Sequence, residues 1–75
     1  MNDKRRKQIK TAIVKLEEVL QELEQIRDDE QDYFDNIPEN FADSDKAAAS
    51  EDAITFLDNA VSSLKDPIEN LKSVE

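Results

Sequence analysis

The chain contains no cysteine, no histidine, no glycine and no tryptophan in 75 residues. Without cysteine it can form neither a disulfide nor a thiolate zinc site. Without histidine it lacks the commonest metal ligand and the commonest general base. Glycine supplies positive-φ turns, tight hairpins and phosphate-cradling loops. Its absence removes the backbone chemistry of Rossmann and P-loop sites and disfavours multi-stranded β folds. No segment approaches the ~18 consecutive apolar residues of a membrane span. The basic N-terminus is followed by no apolar run of the signal-peptide kind, so cytoplasmic residence is the expectation. A chain this short is expected to form one domain, residues 1–75, with a limited core. With disulfides and thiolate or histidine metal sites set aside, oligomerisation or a tight partner is the reinforcement that remains.

What the chain does have is charge, unevenly placed. Nineteen acidic and ten basic residues give a net −9. Residues 1–15 carry six bases, Lys4, Arg5, Arg6, Lys7, Lys10 and Lys15, against Asp3 alone, a balance of +5. Residues 16–75 carry four bases and 18 acids, a balance of −14. A short basic end precedes a strongly acidic body.

Apolar residues recur at helical spacing in two long segments. In the first, from about residue 3 to 35, Ile9, Leu16 and Leu23 share one heptad position. Ala12, Val19, Ile26 and Tyr33 share a second, and Ile13, Leu20 and Phe34 a third. Three apolar rows in seven are wider than a two-stranded seam needs. Glu30 interrupts the first row, with Arg27 three residues earlier. The simpler reading is a solvated or mutually paired notch; the sharper one is a buried polar pair that fixes register or contacts a partner. Asn36 is expected to close this helix in the left-handed conformation, and Pro38 to prevent its continuation. Residues 36–43 read as a connection, with Ile37 and Phe41 turned inward as a plug. Ser44 is a good N-cap for a second helix over about 44–74. Its apolar residues step by three and four through Ala47, Ala53, Ile54, Leu57, Ala60, Val61, Leu64, Ile68, Leu71 and Val74. Register survives across Pro67, which predicts one helix kinked there rather than two helices.

The expected fold is therefore all-α, an antiparallel two-helix hairpin of the coiled-coil kind. Antiparallel pairing sets the basic start beside the chain's end, near Glu69 and Glu75. A lone hairpin buries one stripe per helix and leaves extra apolar rows in water. The simplest cover is a homodimer forming a four-helix bundle, with Ile13, Leu20, Ile54, Phe56, Val61 and Ile68 at its interface. A different protein docking in helix-in-groove fashion is the alternative cover, and a monomer kinked enough to satisfy itself is the third option.

No pattern demands catalysis, and the chain reads as a non-enzyme with no cofactor. Asp28, Asp32 and Asp35 share a helix face, but helix two offers only Glu51 and Asp52 as a matching acidic pair. Nothing there is suited to hold a nucleotide. The same run lacks the ligand alternation and central glycine of a calcium-binding loop. The basic cluster has no interleaved aromatic for base stacking, and the acidic body would repel phosphate, which argues against direct nucleic-acid binding. A rigid acidic helix can, conversely, imitate a phosphate backbone and be steered to a basic groove. The residues expected to contact a partner lie around the hairpin tip: Tyr33, Phe34, Asn36, Pro38, Glu39 and Phe41. The acids Asp28, Asp29 and Asp32 come next.

The run from Ile26 to Asn40, which ends in Tyr33-Phe34-Asp35-Asn36-Ile37-Pro38-Glu39-Asn40, resembles a motif of short acidic proteins of bacteriophages and prophages. The resemblance extends over about residues 20–70 and includes the acidic-apolar helix from Ser50 to Leu64. The chain departs from it in its alanine-rich Ala47-Ala48-Ala49. The group has no assigned activity, so the resemblance carries over no functional residues. It implies a protein that binds and modulates a host protein, with an acidic DNA mimic or a structural or assembly component as alternatives.

Overall fold

The computed structural model describes residues 1–74. Among them are two long helices and no strand: α1 (Asp3–Asp35) and α2 (Asp45–Lys72), joined through a single 3-10 turn at Glu39–Phe41. They pack antiparallel as a rod with extents of 60 × 14 × 13 Å. Glu75, expected beside the basic end, lies outside the described residues. Among the described residues no helix is long and apolar enough to cross a membrane.

The helix ends follow from side-chain chemistry. Asn2 Oδ1 accepts from the Arg5 N–H at 2.8 Å, and Ser44 Oγ accepts from the Ala47 N–H at 3.2 Å. Each satisfies one of the backbone donors that a helix start leaves free. Asn36 ends α1, but not as expected. Its φ, ψ of −95°, 1° lie outside the left-handed region. Its amide Nδ2 instead donates to the Asp32 carbonyl at 2.7 Å, taking up one of the last free acceptors. Pro38 then keeps the chain from continuing as α-helix.

The seam between the helices is a heptad ladder. On α1 it runs through Ile9, Ile13, Leu16, Leu20, Leu23, Arg27, Glu30 and Phe34. On α2 it runs through Ala47, Ser50, Ile54, Leu57, Val61, Leu64, Ile68 and Leu71. The steps alternate three and four, as an antiparallel pair requires. Ile13, Ala47, Val61 and Ile68 are buried here, each at 3% exposure or less, and most of the rest are half-buried. This corrects two expectations. Ile13, Val61 and Ile68 belong to the hairpin's own core, with Leu20 and Ile54 half-buried beside them. They are not an outer row awaiting a second molecule. Phe41, expected as a plug, is 56% exposed.

Arg27 and Glu30 are seam residues, and they do not pair with each other. Glu30 accepts the hydroxyl hydrogen bond of Ser50, which is buried on the facing helix. Arg27 meets Asp28 at 3.2 Å and, across the seam, Asp58 at 3.6 Å. A polar layer placed in an apolar ladder has its partner in only one register, so it penalises slippage. Pro67 lies inside an uninterrupted α2, and Ile68 beside it stays buried. No break accompanies it, although the ring removes one backbone donor.

Two stability measurements test this account by urea denaturation. Ser50→Ala strands the Glu30 carboxylate on an apolar wall and should cost about 1–3 kcal/mol. Combining it with Glu30→Leu should recover most of that loss, because both polar partners are then gone; a double variant no better than the single would contradict the layer. Pro67→Ala restores a helical donor and should raise stability by up to about 3 kcal/mol. An unchanged midpoint would mean that the helix already absorbs the ring without strain.

Candidate functional site at the hairpin tip

The end of α1, the connection and the first turn of α2 enclose one concavity of ≈ 560 Å³. Its walls are Tyr33, Asn36, Ile37, Pro38, Phe41 and Lys46. The local chemistry explains the shape. Asn36 turns the chain off α1, and Pro38 holds it extended at φ −57°, ψ 145°. The 3-10 turn then closes through hydrogen bonds from Phe41 N–H to Pro38 and from Ala42 N–H to Glu39. This swings Phe41 out beside Tyr33 instead of into the seam. Tyr33 is 49% exposed, so two aromatic rings stand half in water around a mostly apolar hollow.

Four of the residues expected to contact a partner, Tyr33, Asn36, Pro38 and Phe41, are thus brought together. Phe34 and Glu39 are not among the lining residues. Phe34 occupies a seam position and is half-buried, while Glu39 is exposed on the turn. Ile37 and Lys46 line the hollow and were not anticipated. Ile37 extends the seam ladder by one step past Phe34. Lys46 is the one base between Arg27 and Lys65, an isolated positive charge in an acidic stretch that could have drawn notice.

The acids Asp28, Asp29 and Asp32 stand on the outer surface of α1 and do not converge on the hollow. Asp29 accepts from Gln25 Nε2 at 2.9 Å, and Asp28 pairs with Arg27. These are exposed contacts of small energy. Among the described residues no group of three or more acidic side chains is placed to hold a metal ion. The hollow contains neither a nucleophile with an adjacent base nor paired carboxylates. Its chemistry is that of an apolar socket with one cation at the rim and carboxylates around it.

The two flanks of the seam differ sharply. In an antiparallel pair, like flanks of the two helices meet. One flank is polar throughout: Lys10, Glu17, Glu24 and Gln31 on α1 meet Glu51, Asp58, Lys65 and Lys72 on α2, with Lys72 Nζ 3.3 Å from Glu17. The other flank is apolar. On it lie Ala12, Val19, Ile26 and Tyr33 of α1 beside Lys46, Ala53, Ala60 and Pro67 of α2, with Phe56 in the next row. Val19, Ile26, Tyr33 and Phe56 are 44%, 51%, 49% and 72% exposed. The row left in water on α1 is therefore Ala12–Val19–Ile26–Tyr33. Of the residues expected to form an outer interface, Phe56 alone stands fully out on this face.

Comparisons with protein-family models, with curated proteins and with solved structures find no match for this chain.

Proposed function

We propose that the chain is a non-enzymatic protein-binding module, cytoplasmic and of phage or prophage type, that modulates a host protein through its hairpin tip. The observation that carries this reading is the socket between Tyr33, Pro38 and Phe41. A hollow of this size suits a bulky apolar side chain, and two half-exposed aromatics are the kind of groups that anchor interfaces. The rim selects further. Asp32, Asp35, Glu39, Asp43 and Asp45 surround the tip, with Lys46 as the only base. The favoured target is an apolar anchor flanked by lysine or arginine. The phage-like run Tyr33 to Asn40 coincides with the same segment.

A second reading has its own support. Exposed Asp28, Asp29 and Asp32 give α1 an anionic outer surface, suited to occupy the basic groove of a nucleic-acid-handling protein as a phosphate mimic. Salt separates the two, since apolar docking survives physiological ionic strength while an association held by exposed charges weakens steeply.

The test is affinity capture from host lysate at low and near-physiological salt, with mass spectrometry of the eluate. One host protein should be recovered at both salts, retained by Glu18→Gln and lost at least tenfold by Tyr33→Ala/Phe41→Ala. Both aromatics are half-exposed, so helicity by circular dichroism should be unchanged in that variant. Capture indifferent to the tip substitutions would overturn the socket reading. Recovery of nucleic-acid enzymes at low salt alone would support mimicry instead. An empty eluate would favour a structural or assembly component.

A further inference from the structure

We infer that the apolar flank is covered by a second copy of this chain, packed face to face with the tips at opposite ends. The flank is long, and its acids are confined to its α1 rim, where Asp29 of each copy meets Lys15 of the other and the two Glu22 side chains approach near the axis. Ala12 to Tyr33 spans about 32 Å at ~1.5 Å per residue. The rows holding Val19, Ile26, Ala53, Phe56 and Ala60 contain no acidic residue, in a chain that has nineteen. The strip is not spent on the hairpin's own seam.

The area fits a modest dimer. Two helices side by side present a face roughly 18 Å wide, so the strip offers about 600 Å² per copy and about 1,200 Å² in all, at the lower end of stable interfaces. Alanines at 53 and 60 let a facing backbone approach closely, and Phe56 is the side chain that projects.

Charge decides the orientation. A face-to-face twofold can place the tips together or apart. Residues 16–64 hold 15 acids and two bases, a balance of −13, and fold into the tip half and middle of the rod. Residues 1–15 hold +5 at the other end. Among the described residues none of Lys4, Arg5, Arg6, Lys7 and Lys10 is in an ion pair. Tips together would oppose like charges along the whole rod. Tips apart lay the unpaired basic end of each copy over the acidic tip of the other. In that arrangement α1 faces α1, Val19 meets the second copy's Ile26, and Lys15 at the rim meets the second copy's Asp29. Tyr33 arrives over a shallow hollow of ≈ 400 Å³ bounded by Lys7, Gln8, Thr11, Ala12 and Lys15. The two Phe56 side chains meet near the axis. This face also reaches Tyr33, so self-association and tip docking compete; the dimer is nevertheless testable on the isolated chain, with no host protein present.

The measurement is sedimentation equilibrium of the full chain from micromolar to several hundred micromolar, at low salt. A monomer–dimer equilibrium is expected, with the dimer at twice 8.6 kDa. Ile26→Glu and Phe56→Glu, both on exposed positions, should each weaken it at least tenfold with helicity intact. The chain has no native cysteine, so single ones report orientation. A mixture of Gln8→Cys and Asn40→Cys proteins should cross-link to each other through a short reagent, while Asn40→Cys alone should give little product. A monomer throughout the range, a dimer indifferent to both glutamates, or efficient tip-to-tip cross-linking would each overturn the proposal.

Discussion

Two helices can share only one seam, and everything else in this molecule follows from how that seam is filled. A bundle of three or four helices can distribute apolar residues around several contacts. A hairpin cannot. Its ladder from Ile9 to Phe34 and from Ala47 to Leu71 takes two apolar rows per helix, and any further apolar row is left on a flank. Which two rows enter the seam decides which flank that is, and the Glu30–Ser50 contact holds their register. A slip of the ladder would leave Glu30 opposite an aliphatic side chain. With the register held, the ion-pairing residues gather on one flank and the Val19–Ile26–Tyr33 row on the other.

The molecule thus has two asymmetries at right angles. Across the rod, one flank is charged and the other apolar. Along the rod, the end that carries the N-terminus is basic and the tip is acidic. Apolar contact area supplies attraction but little direction, while separated charges supply direction but little attraction once solvated. Placed on one rod, they complement each other. The socket between Tyr33 and Phe41 lies where the apolar flank runs into the acidic tip. The recognition proposed for the tip combines an apolar anchor with a charge filter.

Much of the fold could be read from spacing. Both helices, the Ser44 cap, the place where Asn36 ends α1 though not its left-handed form, and the continuity of α2 through Pro67 follow from periodicity and turn chemistry. The choice among three apolar rows did not. Rows through Ala12, Leu16 and Ile13 lie side by side on α1, each roughly 40–60° from the next, and local pattern alone does not say which pair faces the neighbour. The facing helix decides that, through long-range contacts such as Glu30 to Ser50. The same gap hid the role of Glu30, whose partner lies twenty residues away. At the tip, residue identity marked Tyr33, Asn36, Pro38 and Phe41. Lys46 and Ile37 joined them only through the path of the chain. Phe41 points outward because the 3-10 turn fixes its direction, a matter of backbone geometry that composition does not encode.

The connection between the helices contains no residue with positive φ, and neither does any other described part of the chain. A turn of this kind has no position that only glycine can fill. Ordinary L-residues fit its backbone, and outside the proline and the asparagine cap the side chains are not needed to shape it. Apart from Ile37, which extends it by one step, the ladder that holds the fold lies along the rod, away from these side chains. The tip is therefore a surface on which one residue can be exchanged for another while the scaffold stays as it is. A lineage under pressure to follow a changing target could rewrite that loop step by step, with each intermediate still folded.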